Sequence, residues 1–353
     1  MMIKDLTDGT QVYGRYLVAD AKKCVSNANK PYLSITFQDA SGIMEARKWD
    51  VLPGDEELLQ KGTVVYVVGT VLSYGNRLQM KVMSVEKVDD SAIDWSAYIP
   101  SAPVSEKELE AKLDAYISSI QDEAIHAIVA RLLEKYKEKY LNWPAASRNH
   151  HAFVSGLLYH SVTMADLAAK VSRVYSSLNR DLMIGGTLSH DIGKVMELSG
   201  PNATFYTVQG RLVGHISIGQ AEVREVAKEL GYYAFVELPQ SEQDRLAKEN
   251  APEFHRYEIA LQMEHIILSH HGKYEFGSPV LPLTREALAI SLIDDFDAKM
   301  LVLDNAYSGV NPGEPTGRIG SLDNRYFYLP RDAKTEHSPY GTSLEEQLQD
   351  LGK

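Results

Sequence analysis

The hydrophobic pattern of this chain changes its period once, and that change limits what the chain can fold into. Up to about residue 88 apolar residues alternate with period two; from about 105 to about 300 they recur at helical spacing. A chain of 353 residues is too long for one small domain and suits two. The pattern predicts a multidomain α+β protein, a small β-barrel followed by an all-α domain.

In the first part, Tyr32-Leu33-Ser34-Ile35-Thr36-Phe37 and Ile43-Met44-Glu45-Ala46-Arg47-Lys48-Trp49 alternate around the turn signal Asp39-Ala40-Ser41-Gly42, which predicts a hairpin. Val64–Val71 is β-branched, and Gly69 inside it suggests a bulge. Ser73-Tyr74-Gly75-Asn76 turns the chain before Leu78–Val85 alternates again. With an early strand over Val12–Ala19, about five strands result. A small Greek-key barrel such as the oligonucleotide-binding (OB) fold closes them without leaving an open edge. The expected division is a barrel at 1–88, a linker at 89–104, a helical domain at 105–304, and an irregular segment at 305–353 whose last twenty residues are polar. Ser105-Glu106-Lys107-Glu108 has the form of a capping box and starts the first helix.

Charge bears on the partner. The net charge is −12, yet residues 1–90 hold 11 basic and 12 acidic side chains, so the excess of acid falls on the helical part. The barrel is free to meet a polyanion. Cys24 is the only cysteine, which excludes an intrachain disulfide and a thiolate zinc cluster. Apolar runs stay short of the roughly 18 residues of a membrane span. Met1-Met2-Ile3-Lys4-Asp5 carries an acid where a signal peptide is apolar, so a cytoplasmic location and no membrane partner are expected.

The placement of the histidines carries the chemistry. His190-Asp191 ends the apolar stretch Leu182–Leu188, with Gly193-Lys194 just beyond. His160 lies on an apolar face with Leu157, Met164, Leu167, Ala168 and Val171. His215 follows Gly214 at a helix start, and His270-His271 closes a helix over Tyr257–Ser269 with Gly272 as its C′ residue. Asp294 follows Ile290-Ser291-Leu292-Ile293, where an unpaired carboxylate is costly. A lone helical histidine is more often structural. The joint order His, His-Asp, His, His, Asp, each on its own helix end or apolar face, instead predicts a metal site. Nitrogen and oxygen donors suit Mn, Fe, Mg or Zn better than a soft metal.

Two longer stretches add a resemblance. Asn149-His150-His151-Ala152-Phe153-Val154-Ser155-Gly156-Leu157-Leu158-Tyr159-His160 and His265-Ile266-Ile267-Leu268-Ser269-His270-His271-Gly272-Lys273-Tyr274-Glu275-Phe276-Gly277-Ser278-Pro279 are similar to the YhaM family of 3′→5′ exoribonucleases. So are Leu198-Ser199-Gly200-Pro201, Leu212-Val213-Gly214-His215-Ile216-Ser217-Ile218 and Leu322-Asp323-Asn324-Arg325. That family joins an OB fold to a helical HD domain. The resemblance extends to about residue 330. Asp294, Asp295 and Asp297 compete for the last ligand position, and the family's Asp-x-x-Asp-Ala spacing favours Asp294.

The resemblance implies one or two divalent ions, Mn²⁺ first, with Mg²⁺, Fe²⁺ or Co²⁺ also accommodated. Asp191 would bridge, with His160, His190 and Asp294 on one ion and His215 and His270 on the other. Metal lowers the pKa of bound water and shields phosphoryl charge. Lys194 is expected either on the substrate phosphate or as a helix C-terminal lysine on the macrodipole. His271 and His151 are expected to bind phosphate or supply a proton, a structural role competing for His151. On the barrel, Arg47, Lys48, Trp49, Tyr74 and Arg77, with Tyr32, are candidates to hold single-stranded RNA or DNA by stacking and charge, and Phe37 is expected in the core. The expected activity releases nucleoside 5′-monophosphates from a 3′ end. A nucleotide phosphohydrolase, a cyclic-dinucleotide phosphodiesterase and a regulatory binding protein with a non-catalytic metal site are the rival readings, and a homo-oligomer is compatible with the sequence.

Overall fold

The computed structural model describes residues 1–26, 29–74, 77–89, 93–99, 102, 104–146, 153–201, 204–307 and 310–333. His151, the turn pair Gly75-Asn76, parts of the expected linker and the last twenty residues lie outside the described residues. The chain divides into two compact units, residues 1–101 with 201–204, and 102–200 with 205–353.

The first unit is a closed five-stranded barrel in the order β1-β2-β3-β5-β4. The strands are β1 (Gln11–Val25), β2 (Pro31–Asp39), β3 (Gly42–Lys48), β4 (Val64–Tyr74) and β5 (Arg77–Lys87), with a short helix α1 (Asp55–Leu58) between β3 and β4. All five expected strands are present, and most run longer than the alternation alone suggests. Neighbours pair antiparallel except β3 and β5, which pair parallel through Ala46–Met80 and Arg47–Lys81. The expected irregularity at Gly69 is present as a register shift between Val68 and Gly69. A Cβ there would stand 2.7 Å from the Lys81 carbonyl oxygen, so β4 and β5 approach more closely than a side chain permits.

Alternation fixes the two faces of the barrel. Along β3, Met44, Ala46 and Lys48 point inward, while Ile43, Glu45 and Trp49 are exposed. Phe37 lies in the core with Tyr16, Ile35, Val67, Val71 and Met80, as expected.

The second unit is helical. It contains α2 (Glu106–Ser118), α3 (Glu123–Asn142), α4 (Gly156–Val174), α5 (Arg180–Ser189), α6 (Lys194–Glu197), α7 (Val208–Glu229), α8 (Gln240–Lys248), α9 (Pro252–Ser269) and α10 (Arg285–Tyr307). Side-chain caps set several starts: Ser105 accepts from the Glu108 amide as the capping box predicts, Asp122 caps α3, Asn179 caps α5 and Thr207 caps α7. The short α5 is the centre of the unit. Every residue from Leu182 to Ser189 is buried, against α3, α4, α9 and α10. A helix buried on every side from its second turn onward needs such a wrapped position, and its C-terminal end opens into the interior. No described helix is long and apolar enough to cross a membrane.

Candidate metal centre

At that interior end of α5 stand His190 and Asp191, at 0 % and 2 % exposure. His190 is the C-cap of α5, and its Nδ1 donates to the Thr187 carbonyl three residues back, at 2.7 Å. His270 caps α9 in the same way, its Nδ1 donating to the Ile267 carbonyl at 2.7 Å. Carbonyls in the last helical turn lack an intrahelical donor. At both ends an imidazole supplies one, and its Nε2 is thereby turned outward from the helix.

The other three rings are oriented likewise. His160 Nδ1 lies 2.7 Å from Asp297 Oδ2, and His215 Nδ1 lies 3.0 Å from Glu197 Oε1. His271 Nδ1 lies 2.7 Å from the Phe276 carbonyl oxygen. Gly214, at φ 75° and ψ 151°, breaks α7 just before His215, a conformation open essentially to glycine alone. The break leaves the His215 amide free to donate to Glu197 Oε1 at 2.9 Å. Each Nδ1 carries its hydrogen toward an acceptor, so in the neutral ring each Nε2 presents a lone pair, the arrangement common among metal-ligating histidines.

Those nitrogens converge around Asp191. Its Oδ2 lies 3.3 Å from His190 Nε2, 3.7 Å from His160 Nε2 and 2.5 Å from Lys194 Nζ. Its Oδ1 faces the other side, 3.5 Å from His215 Nε2 and 3.7 Å from His270 Nε2. One ligand atom each from His160, His190 and Asp191 falls within 4.8 Å of the others, and the same holds for His215, His270 and His271. Asp191 Oδ1, His215 Nε2 and His270 Nε2 are buried with no hydrogen-bond partner. Buried polar atoms are nearly always paired, and three orphans sharing one space fit a divalent ion. The donor set, imidazole nitrogen with carboxylate oxygen, is that of a borderline metal.

The three carboxylates on α10 have different places. Asp294 Oδ1 lies 3.2 Å from His160 Nε2 and faces the cluster. Asp295 is turned outward to Lys299 at 2.6 Å. Asp297 stands behind His160, on its Nδ1 side. Lys194 stands in the single-turn α6, with its ammonium on Asp191 Oδ2.

Electrostatics match the geometry. Burial opposes charge on His160, but hydrogen bonds to Asp294 and Asp297 push its pKa up to about 10. Burial would raise Asp191, yet Lys194 and His190 hold its carboxyl well below the usual range. His160 likewise keeps Asp294 low against its burial. Burial, with His190 and His271, keeps His270 well below the usual imidazole range, and burial with His215 lowers His271. The carboxylates are anionic, and His270 and His271 are neutral.

On the barrel, Arg47, Trp49, Tyr74 and Arg77 line one recess of about 300 Å³ with Glu45, Leu78, Gln79 and Lys81. Trp49 stacks on Tyr32 with ring centroids 4.6 Å apart, and the Arg47 guanidinium lies 5.5 Å from the Tyr32 ring centroid. Lys48 is a correction. Expected on the binding face, it is 2 % exposed, lies 3.2 Å from Asp55 Oδ2, and donates to the Asp50 carbonyl at 2.7 Å. Its parity with Met44 and Ala46 takes it inward, and the carboxylate of Asp55 makes burial of its charge tolerable. Gln79 and Lys81 escape sequence reasoning although they share the parity of Arg77. Glu197 carries no local signal that ties it to His215.

Residues 157–299 match the HD domain model, and residues 18–88 match the model of the OB-fold nucleic acid binding domain. Among solved structures, similarity is found to the second OB-fold domain of replication protein A from Methanococcus maripaludis, at 19 % identity, covering 26 % of this chain and 98 % of that chain with a TM-score of 0.22. The two domain matches show that the chain joins an OB-fold barrel to a helical region containing an HD domain, the signature of divalent-metal phosphohydrolases.

Proposed function

We propose that this protein is a metal-dependent 3′→5′ exonuclease that hydrolyses single-stranded RNA, and also single-stranded DNA, releasing nucleoside 5′-monophosphates. The observation that carries the reading is the convergence of four histidine Nε2 atoms on the two oxygens of Asp191, with Asp294 and His271 beside them. His160, His190, Asp191 and Asp294 would hold one ion. His215 and His270, with Asp191 Oδ1, would hold a second, and His271 would face it or the substrate. Divalent ions held there, Mn²⁺ first, would lower the pKa of a bound water and shield the phosphoryl oxygens.

The side chains do the rest. Lys194 keeps Asp191 ionised and adds positive charge where a phosphate approaches. Asp297 and Glu197 hold His160 and His215 in their tautomers. The recess of Arg47, Trp49, Tyr74 and Arg77 binds the strand by stacking and charge. That recess favours a strand over a mononucleotide or cyclic dinucleotide, which has little use for a second binding surface.

The test is incubation of the full chain with 5′-labelled single-stranded RNA, with Mn²⁺ and with chelator. Stepwise shortening from the 3′ end that needs the ion and is lost in Asp191→Ala is expected. Absence of cleavage with any divalent ion overturns the reading.

A further inference from the structure

The loop after the last two histidines is closed on itself, aromatic and outward-facing. Gly272 (φ 73°) turns the chain back after α9, and a 3-10 turn over Tyr274–Phe276 ends at Gly277 (φ 94°). Three main-chain bonds close it, Phe276 and Ser278 each donating to the Lys273 carbonyl and Gly277 to that of Tyr274. The loop is tied to the centre itself, because the Phe276 carbonyl oxygen is the acceptor for His271 Nδ1. The His271 ring centroid in turn lies 4.4 Å from that of His270 and 5.2 Å from that of His215.

A short turn that carries Tyr and Phe ordinarily sends them into a core. Here none of its residues is buried: Tyr274 is 64 % exposed and Phe276 54 %. Lys273 places its ammonium 5.0 Å from the Phe276 ring centroid. A flat apolar ring and a cation, held on a backbone that is bonded to a metal-centre histidine, match the two parts of a nucleotide, its base and its phosphate.

We infer that Phe276, with Tyr274 and Lys273, forms the subsite for the terminal nucleoside 5′-monophosphate unit, the base stacking on Phe276 and the phosphate drawn by Lys273 toward the histidines. This deepens the exonuclease reading and rests on it for the orientation of the substrate. The contact is stacking, so it accepts any base and rejects a sugar phosphate without one. It gives the centre a hold on the last nucleotide separate from the strand-binding recess of the barrel.

Equilibrium binding to the full chain in the presence of Mn²⁺ tests it without relying on turnover. The probes are adenosine 5′-monophosphate and ribose 5-phosphate, which carry adenine and a hydroxyl respectively at the anomeric carbon. The wild type is expected to bind the nucleotide about 5- to 150-fold tighter, the span that one stacked base provides. Phe276→Ala should bring the two within about twofold, and Phe276→Trp should restore the gap, because the Ala change keeps the backbone carbonyl that holds His271. Tyr175→Ala, at an exposed ring outside both binding surfaces, should leave the gap in place. A gap that survives Phe276→Ala, vanishes with Tyr175→Ala, or is absent in the wild type overturns the inference. A chain that shows the Phe276-dependent gap but cleaves no strand overturns the exonuclease reading instead, so the two failures are distinct.

Discussion

His160 Nδ1 sits 2.7 Å from Asp297 Oδ2, so a carboxylate 137 residues away in sequence fixes which nitrogen of that ring faces Asp191. Replacing Asp297 by Asn keeps the shape and removes the charge. Metal affinity should fall roughly 10–100-fold, the usual cost of losing such an outer partner. Titration calorimetry with Mn²⁺, alongside a melting curve of the metal-free chain to confirm the fold, checks this. Unchanged affinity would mean that Asp297 does not tune metal binding through His160.

Metal binding should displace the proton of His160 near neutral pH. In the metal-free chain His160 is held protonated up to about 10 by Asp294 and Asp297, against its burial. Asp191 and Asp294 have already lost theirs, and His270 and His271 are kept neutral. The raised pKa sets the sign. The proton on His160 is present below about 10 and must leave before Nε2 can bind a metal, so affinity rises with pH through the neutral range. The expected slope is about tenfold per pH unit. Calorimetry in buffers of different ionisation enthalpy counts the protons.

Gly214→Ala should cost about 1–3 kcal/mol, because an L side chain is strained at its backbone angles. The cost should fall on the site more than on the fold, since this break lets the His215 amide reach Glu197. The expected result is a modest drop in melting temperature with a larger loss of bound metal per chain. Retention of full metal content would show that His215 does not depend on the break.

Two neighbours at the end of β3 should respond in opposite ways. Trp49→Ala removes a stacking ring from the barrel recess and should weaken single-stranded RNA binding by about 1–3 kcal/mol with little effect on stability. Lys48→Ala strands Asp55 in the interior and should cost roughly 3–5 kcal/mol of stability. Strand affinity of the protein that remains folded should be nearly unaltered. Filter binding and denaturant titration on both variants separate the effects; weakened strand binding by folded Lys48→Ala would return Lys48 to the binding face.

How much the sequence discloses depends on how far each interaction reaches. Alternation is local, so the strands and the bulge at Gly69 are legible, and helix-end signals are local, so His190 and His270 are legible as helix-terminal residues. Lys48 is misread because its charge is weighed above its parity with Met44 and Ala46. Asp297 and Glu197 are illegible in their roles, because each acts on a histidine that only the packing of another element brings near. Among the three neighbouring carboxylates of α10, only the family spacing favours Asp294. Helical geometry turns Asp294 toward His160 and Asp295 toward Lys299, a distinction of rotation about the axis and not of residue type.

His190 and His270 take their aim from main-chain carbonyls, whereas His160 and His215 take theirs from side chains. No substitution can delete a carbonyl, so the orientation of these two imidazoles is insulated from change in the residues around them. The other two are adjustable. Exchanging Asp297 or Glu197 for another acceptor would alter the basicity of one imidazole while the helices that carry it stay folded. The candidate centre thus combines a half whose aim is fixed by the main chain with a half whose aim side-chain exchange can tune.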